Sequence, residues 1–589
     1  MLRACAILVV AVLFARGAAA RDASGAAAIV VSPEAPVVGG RLRVVAAADR
    51  PLDATLRLVG PHGEEVATTR ERRGGPPHWW YLEATTTGAG TYRACLEGAE
   101  TCTDVAVGAP SVRRGADGAR AVTRQWSRAT EALYSAWVEK LFDDPLDAEP
   151  SWPSLDAVTR QPERNFLHDH LGLGEDDARG LRLGPDCADL PYFLRAYFAW
   201  KLGLPFGWSD CSRGEGGHPP RCTRWHSSVD GAQDAGDALP RMQRFLSRDV
   251  AWGVQSGAGR APAEDDRTDF YPTRLSVETL VPGTVYADPY GHTLVLVQRV
   301  PQTPSAPGLL LAVDAQPDGT VARKRYWRGN FLFALDPSLG SAGFKHFRPI
   351  VRDHGGVRPL ANRELANAGW GDYSLEQYQS GVEGFYDRVD DVLSPEPLDP
   401  AVAFRAAIDA LDEQIRTRIR AVANGETFVA AHPSTIAMPD GAEIFETTGS
   451  WEDYATPARD LRLLIAIDVV RGFPERAARR PERFAARGDA SPADLRGALD
   501  ALLRDQAAAR HFEYARSDGS PWTLTLGDVL ARTAAFEMGY NPNDCVEVRW
   551  GAAPGSDESA TCRRHAPAEQ AGRMMRNRGW FHERSRPPR

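Results

Sequence analysis

The sequence predicts a multidomain protein: an N-terminal β-sandwich at residues 26–108, a central α+β domain at 120–350 and a C-terminal, mostly α-helical region at 351–589. Three observations support this class. The chain has 589 residues, several times the length of one domain. Short strand-like runs between turn residues fill the first region, whereas helical periodicity dominates the last. Because 43% of the residues are hydrophobic, each region has enough apolar material for a core.

The first 20 residues have the features of a secretory signal peptide. Arg3 gives a positive start, residues 6–14 are apolar, and the alanines at 18–20 form a small-residue cleavage site. The apolar run is too short to span a bilayer, and no later stretch approaches ~18 uncharged apolar residues. We therefore expect a secreted or periplasmic protein with no membrane span. A retained N-terminal anchor is the alternative.

Charge and composition exclude some partners. The net charge of −9 is mild for this length and includes no basic excess, which argues against a nucleic-acid partner. The basic residues are mostly arginine, which indicates a GC-rich bacterial genome. The sequence contains no glycine loop for phosphates and no zinc-protease helix motif, so we expect no cofactor.

Alternating apolar residues predict the strands of the first region. The predicted strands are the runs at 28–31, 41–45, 55–58 and 104–107. The segment from Gly90 to Cys95 resembles the tyrosine-corner strand of immunoglobulin-like domains, with Tyr92 as the corner residue. This resemblance implies an immunoglobulin-like β-sandwich. Ala94 stands where the usual cross-sheet cysteine would lie, so we expect Cys95 to close a hairpin with Cys102 instead.

The cysteines separate one thiol from three local pairs. Removal of the signal peptide takes Cys5 with it. In an oxidising compartment, proximity predicts three disulfides. These are Cys95 with Cys102, Cys211 with Cys222, and Cys545 with Cys562. Cys187 is left over, and an odd cysteine in a secreted protein is either an intermolecular partner or a reactive thiol.

The loop-rich stretch at 206–260 has a second interpretation. Cys211, His218, Cys222 and His226 are residue types that bind zinc. A local disulfide in a secreted loop is the simpler account. We therefore expect no metal there.

Cys187 precedes a predicted helix at 190–202. The apolar residues of this stretch fall on one helical face, and a Gly-Leu-Pro sequence ends it. Because Pro191 is tolerated only early in a helix, we expect the helix to begin at Ala188 or Asp189. The thiol then lies just ahead of the positive helix N-terminus, where thiolates are stabilised and free N–H groups can bind an oxyanion. A buried, inert cysteine is the alternative.

A predicted hairpin supplies a histidine and an aspartate. Residues 288–291, Asp-Pro-Tyr-Gly, have the composition of a type I turn, and His292 begins the next strand. The following strand ends in Asp314. If the two strands close near residue 303, His292 and Asp314 lie directly opposite each other, and the aspartate orients the imidazole toward a thiol. The alternative for both is an ordinary turn residue.

The order of these residues resembles the papain-like superfamily in its NlpC/P60-type arrangement. Residues 186–190, Asp-Cys-Ala-Asp-Leu, are similar to its Asp-Cys-Ser-Gly-Leu segment, and 280–286 to its Leu-x-Pro-Gly-Asp-Leu-Val segment. The strand that begins with His292 is similar to its histidine strand. The resemblance covers residues 120–350. It implies hydrolysis of cell-wall peptide amide bonds, with Cys187 as nucleophile, His292 as base and Asp314 in the third position, which is often histidine in that family.

Transglutaminase-like domains are a close second resemblance. The run from Cys187 to Pro205 is similar to their cysteine helix, which ends in Gly-Ile-Pro, and residues 313–315, Val-Asp-Ala, to their Val-Asp-Pro strand end. Leu294 stands where those domains carry an aromatic residue. Both families use Cys-His-Asp chemistry, so the implied residue roles are the same.

The last region, 351–589, is predicted to be a helical domain or a cap over the catalytic cleft. Its predicted helices lie at 401–423, 456–470, 490–510 and 525–536. The whole sequence predicts a secreted thiol hydrolase that cleaves amide bonds in a peptide or in cell-wall peptidoglycan. The alternatives are a transglutaminase-like acyltransferase or protease, and an inactive papain-like scaffold used for binding.

Overall fold

The computed structural model describes residues 27–108, 122–229, 237–446, 449–485 and 491–587. The chain is multidomain, with several antiparallel sheets toward the N-terminus and mainly helices toward the C-terminus. The predicted signal peptide, residues 1–20, lies outside the described residues. Within the described ranges, no helix combines the length and the apolar character needed to cross a bilayer.

Residues 27–108 form two four-stranded antiparallel sheets that share one apolar core. The strands are β1 (Ala28–Ser32), β2 (Arg41–Ala48), β3 (Thr55–Val59), β4 (Glu65–Thr69), β5 (Arg73–Gly74), β6 (His78–Thr85), β7 (Gly90–Glu97) and β8 (Thr101–Val107). One sheet has the order β1-β2-β6-β5 and the other β4-β3-β7-β8. Leu42 and Trp80 of the first sheet meet Leu56 and Tyr92 of the second, because alternate side chains of each strand point inward.

The Tyr92 hydroxyl is hydrogen-bonded to the turn between β6 and β7. It accepts the backbone N–H groups of Thr87 (3.0 Å) and Gly88 (3.2 Å) and donates to the Gly88 carbonyl. Tyr92 is buried, so these bonds satisfy its one polar side-chain atom. Cys95 faces Cys102 across β7 and β8, and the two are disulfide-bonded, which confirms the predicted hairpin closure.

A seven-stranded antiparallel sheet forms the centre of the next region. The strands of this region are β9 (Ser151–Trp152), β10 (Gly207–Cys211), β11 (Cys222–Ser227), β12 (Phe270–Pro272), β13 (Val285–Ala287), β14 (Thr293–Val300), β15 (Leu309–Ala315), β16 (Val321–Arg325), β17 (Gly343–Phe347), β18 (Ile350–Asp353) and β19 (Gly356–Pro359). The large sheet has the order β12-β17-β13-β14-β15-β16-β9. Strand β14, which begins directly after the predicted histidine, and β15, which contains the predicted aspartate, are therefore neighbours within it.

Helices pack around this sheet. They are α1 (Arg128–Leu141), α2 (Asp156–Thr159), α3 (Leu190–Leu202), α4 (Ala238–Arg244), α5 (Ala251–Gly253), α6 (Asn362–Leu365) and α7 (Gly381–Leu393). A π-helical turn, Phe245–Val250, joins α4 to α5. Helix α3 contacts β14, so the start of α3 and the start of β14 belong to one packed unit.

Helix α3 lies close to its predicted position. A turn at residues 187–189 precedes it and Asp189 occupies its N-cap, so the helix begins slightly later than predicted. Pro191 then falls in the first turn, where its missing N–H has no helical partner to lose. Gly203 ends the helix in the left-handed conformation (φ 67°), which glycine adopts without steric cost.

Helices predominate in the C-terminal part. They are α8 (Pro400–Ala431), α9 (Ser450–Tyr454), α10 (Pro457–Arg479), α11 (Pro492–Ala509), α12 (Leu526–Ala531), α13 (Thr533–Phe536), α14 (Val546–Arg549) and α15 (Ala568–His582). A hairpin of β20 (His511–Ala515) and β21 (Pro521–Thr525), which was not predicted, joins α11 to α12. Helices α8 and α10 meet at a buried ion pair, where Arg418 donates to Asp460 in two hydrogen bonds of 2.9 and 2.8 Å.

The apolar residues of α7 pack in the core of the central sheet, while its acidic residues pair with arginines at the end of α10. Phe385 stacks on Phe333 with ring centroids 3.8 Å apart, and both share a core with Tyr286 and Phe344. The apolar core of the central sheet therefore extends to residues of α7.

Candidate active site

Cys187 lies in the turn that leads into α3. It is half-buried and is the one described cysteine outside a disulfide. Asp186 organises this turn, because its Oδ1 accepts the N–H groups of Ala188 (2.8 Å) and Asp189 (3.0 Å). Those two N–H groups are therefore occupied, contrary to the expectation of several free donors. The N–H of Cys187 donates to no described residue, and it is the group left for an oxyanion.

The other cysteines pair as their proximity predicted. Cys95–Cys102, Cys211–Cys222 and Cys545–Cys562 are disulfides. In the loop considered for a metal, Cys211 and Cys222 are therefore bonded to each other. His226 Nε2 lies 2.8 Å from Asp210 Oδ2, and His218 is exposed. The loop therefore contains a disulfide, and neither Cys211 nor Cys222 is free to bind a metal as a thiolate.

His292 and Asp314 are in contact, although their register differs from the predicted one. Val295 of β14 faces Val313 of β15, so Asp314 faces Leu294 and not His292. An offset of two residues keeps both side chains on the same face of the sheet. As diagonal neighbours they meet, with His292 Nε2 3.0 Å from Asp314 Oδ2.

Asp314 is buried and is held as a carboxylate. Burial raises its pKa, but the hydrogen bond from His292 and the charge of Lys324, 3.8 Å away, outweigh burial and hold the pKa below its ordinary value. Gln316 Nε2 donates a further hydrogen bond of 3.1 Å to Oδ2. A carboxylate at this place requires an N–H at Nε2 of His292, which leaves Nδ1 as the nitrogen available to a thiol.

The ring of His292 is hydrogen-bonded to Asp314, and Cys187 also acts on its protonation. Burial lowers the pKa of His292, but its hydrogen bonds with Asp314 and then with Cys187 outweigh burial and raise the pKa to about 9. The imidazole is therefore protonated at neutral pH beside the sulfur. Thr293 Oγ1 donates to the Cys187 carbonyl, and Cys187 Sγ lies 4.0 Å from the Gly291 carbonyl oxygen. These contacts hold the start of α3 against the start of β14.

Arg260 fixes the turn before His292. Its buried guanidinium donates to the carbonyls of Pro289 (3.3 Å) and Leu339 (3.2 Å). Gly291 has a φ of 99°, and a Cβ there would lie 2.9 Å from Ser256 Oγ, so glycine is the residue that fits. Arg260 and Ser256 were not predicted, since single polar residues in a loop give no local signal of what they contact.

Arg586 of the C-terminal part contacts the same hairpin. The backbone N–H of Arg586 donates to the Tyr290 hydroxyl (3.1 Å), and its guanidinium lies 5.0 Å from the centre of that ring. The charge of Arg462, on α10, acts on the Asp314 carboxyl. The C-terminal part therefore borders the candidate site.

No protein-family model, curated protein or solved structure matches this chain. The chemistry of the site therefore follows from its own groups. The imidazole of His292 is hydrogen-bonded to a buried carboxylate, and the half-buried thiol acts on the same ring and helps to raise its pKa. Such a set of groups provides a nucleophile, a proton carrier and a group that orients the carrier, which is what forming and breaking an acyl–sulfur bond requires.

Proposed function

We propose that the chain is a papain-like thiol hydrolase that cleaves amide bonds in peptides, with Cys187, His292 and Asp314 as catalytic residues. The observation that carries the proposal is the position of His292 between the free thiol and a buried carboxylate. His346 provides a contrast within the same sheet. It also bonds a carboxylate, that of Asp372 at 2.8 Å, but its other nitrogen faces a backbone carbonyl and no sulfur.

The reaction proceeds through a thioester. The Cys187 thiolate attacks the amide carbon, and the carbonyl oxygen becomes an oxyanion that the N–H of Cys187 binds. Protonated His292 gives its Nδ1 proton to the amine nitrogen, the C–N bond breaks, and the amine leaves. Neutral His292 then takes a proton from water, whose oxygen attacks the thioester. The C–S bond breaks, the carboxylic acid leaves, and the thiolate–imidazolium pair is restored.

The same proposal covers the folds of two domains, the location of the protein and its substrate. We infer that residues 27–108 form an immunoglobulin-like sandwich, which the bonds of the Tyr92 hydroxyl to its turn support. The central region is then the papain-like domain, supported by the helix-start, strand-start and next-strand positions of its three residues. The three disulfides favour a secreted or periplasmic location and hence a cell-wall peptide as substrate.

Acyl transfer to an amine is the second candidate function, and Asp314 favours it. The acid of the site is an aspartate near the end of the strand after the histidine, as in transglutaminase-like domains, whereas NlpC/P60-type enzymes often carry histidine. In transfer, a primary amine attacks the thioester in place of water. A fluorescent primary amine distinguishes the two: its incorporation into the peptide product shows transfer, and release of the free acid alone shows hydrolysis.

Alkylation of Cys187 tests the proposal without a known substrate. In the non-reduced protein we expect iodoacetamide to modify Cys187 alone, and to do so at about pH 5.5, well below ~8.5 where an ordinary thiol ionises. His292→Ala should abolish the reaction at this pH, because the imidazolium that stabilises the thiolate is lost. Asp314→Asn should slow it by roughly tenfold or more, because the carboxylate no longer supports the imidazolium. Peptide mapping after timed quenching gives the rates.

His226→Ala is the matched control, since His226 bonds the Asp210 carboxylate and not the thiol. We expect its alkylation rate to equal that of the parent protein. If Cys187 is inert, or reacts only above pH 8, the catalytic proposal fails and a binding scaffold is the better account.

A further inference from the structure

The turn at residues 288–291 is the part of the hairpin that touches the thiol. The Gly291 carbonyl oxygen lies 4.0 Å from Cys187 Sγ. The backbone N–H of Asp288 donates to the His292 carbonyl at 2.8 Å, so the turn also fixes the backbone of the histidine. A displacement of this turn would therefore alter the contact with the thiol and move the imidazole.

Arg586, from the C-terminal part, contacts this turn at Tyr290. Its backbone N–H donates to the Tyr290 hydroxyl at 3.1 Å, and its guanidinium lies 5.0 Å from the centre of the Tyr290 ring. The same guanidinium lies 4.8 Å from the centre of the Phe445 ring, which packs on the C-terminal core. A guanidinium within about 6 Å of a ring is attracted to its face, so Arg586 links the turn to that core.

The two rings are the main partners of the Arg586 side chain. Its Nε is buried, and no described residue accepts a hydrogen bond from it. The guanidinium also forms no ion pair with a described residue, so the aromatic faces of Tyr290 and Phe445 are what stabilise its charge there. The contact with Tyr290 is therefore an essential part of the surroundings of this cation.

The segment that carries Arg586 is anchored on the C-terminal core. The N–H of Ser585 donates to the Trp580 carbonyl at 2.9 Å. Arg584 pairs with Asp468 of α10, with an N–O distance of 2.7 Å. These bonds hold the segment independently of its contact with the hairpin, so Arg586 can support the turn from a fixed position.

We propose that Arg586 is a positioning residue of the candidate site. By holding Tyr290 it keeps the turn, and with it His292, against the thiol. The C-terminal part is then a component of the site and not only its neighbour. Arg260 holds the same turn from the central region, so loss of Arg586 should loosen the turn without releasing it. This inference rests on the proposed function, because the position of His292 matters to Cys187 only if the two react together.

The ratio of two alkylation rates tests this role. At pH 5.5 iodoacetamide modifies Cys187 only if an imidazolium stabilises the thiolate, whereas at pH 9 the thiol ionises without that help. We expect Arg586→Ala to lower the ratio of the rate at pH 5.5 to the rate at pH 9 by roughly three- to tenfold, because a displaced imidazole stabilises the thiolate less. Arg586→Lys keeps a cation beside the rings and should retain most of the ratio.

A second variant removes a single contact. Tyr290→Phe loses the hydroxyl that accepts the N–H of Arg586 but keeps the aromatic ring, and it should lower the ratio by roughly twofold. This variant decides the matter if Arg586→Ala does not fold. Arg576→Ala is the matched control, because Arg576 is exposed on α15; its ratio should equal that of the parent.

Three outcomes would contradict the role of Arg586. An unchanged ratio in Arg586→Ala and in Tyr290→Phe, with the parent protein reacting at pH 5.5, would overturn it and leave the hydrolase proposal standing. An equal fall of both rates would also overturn it, since Arg586 would then govern access to the thiol and not the place of the imidazole. If the parent protein does not react at pH 5.5, the proposed function itself fails, and this inference fails with it.

Discussion

Asp189 shows how strongly one residue can respond to its surroundings. It lies in the turn that carries Cys187, is buried, and stands near Asp186. Burial, and then the charge of Asp186, raise its pKa from 3.8 to about 8. The carboxyl is therefore mainly neutral at pH 7, so the turn beside the thiol carries less negative charge than its sequence indicates.

This pKa makes stability depend on pH. The folded state binds the Asp189 proton more tightly than the unfolded state, so the resulting stabilisation is complete below about pH 4 and is lost as pH rises toward 8. We expect the free energy of unfolding of the parent protein to fall, relative to Asp189→Asn, by on the order of 3 kcal/mol between pH 4 and 7. Urea denaturation at a series of pH values measures it. A pH-independent difference between the two proteins would contradict the assignment.

At the scale of elements, the packing of helix α3 sets the position of the Cys187 thiol. Lys201, near the end of this helix, is fully buried and donates to Glu175 (2.7 Å) and Asp176 (2.5 Å). Asp176 in turn accepts the Tyr197 hydroxyl at 2.7 Å. This buried cluster anchors the helix at the end opposite Cys187.

Removing one charge from this cluster should be costly. We expect Lys201→Met to lower the free energy of unfolding by about 3–5 kcal/mol, because two carboxylates are then left buried without their cation. The triple variant Lys201→Met, Glu175→Gln, Asp176→Asn should recover much of that loss, since no unpaired charge remains. Chemical denaturation of both variants decides; a loss below about 1 kcal/mol in the single variant would show that the cluster is not an anchor.

At the scale of the whole molecule, the N-terminal sheets contact the central region through apolar residues such as Val45 and Trp79 and through polar side chains. Arg43 of β2 donates to the carbonyls of Asn165 (2.9 Å) and His168 (2.6 Å). Trp79 Nε1 donates to Glu139 at 3.1 Å across the same boundary. Arg43 is buried, so its loss would leave carbonyl oxygens without their donors.

We expect Arg43→Ala to destabilise the N-terminal sheets by roughly 2–4 kcal/mol, because charge-assisted bonds to buried carbonyls are lost. In calorimetry these sheets should then unfold in a separate transition at lower temperature. Arg41→Ala is the control: Arg41 lies on the same strand, but its side chain is 63% exposed and its ion pair with Glu83 is long, at 3.7 Å. That variant should change stability by no more than about 0.5 kcal/mol. Similar effects from both variants would contradict the interface role of Arg43.

Local signals in the sequence determined a large part of this protein. The disulfide pairs follow from proximity, because a short loop keeps two cysteines within reach of each other. The positions of Cys187 before a helix and His292 at a strand start follow from turn and helix-end residues. The contact of His292 with Asp314 was predicted from a register that was wrong by two residues. It forms nonetheless, because an offset of two residues keeps both side chains on the same face of the sheet.

Tertiary structure alone decided the rest. The occupied N–H groups after Asp186 and the support of the turn by Arg260 were not predicted. Each depends on which groups a distant or folded segment brings within hydrogen-bonding or electrostatic reach. A local pattern fixes the type and direction of an element, whereas the partners of its polar groups are set by how the elements pack. For this reason the sequence indicated the candidate groups of the site, and the packing of the chain determined their surroundings.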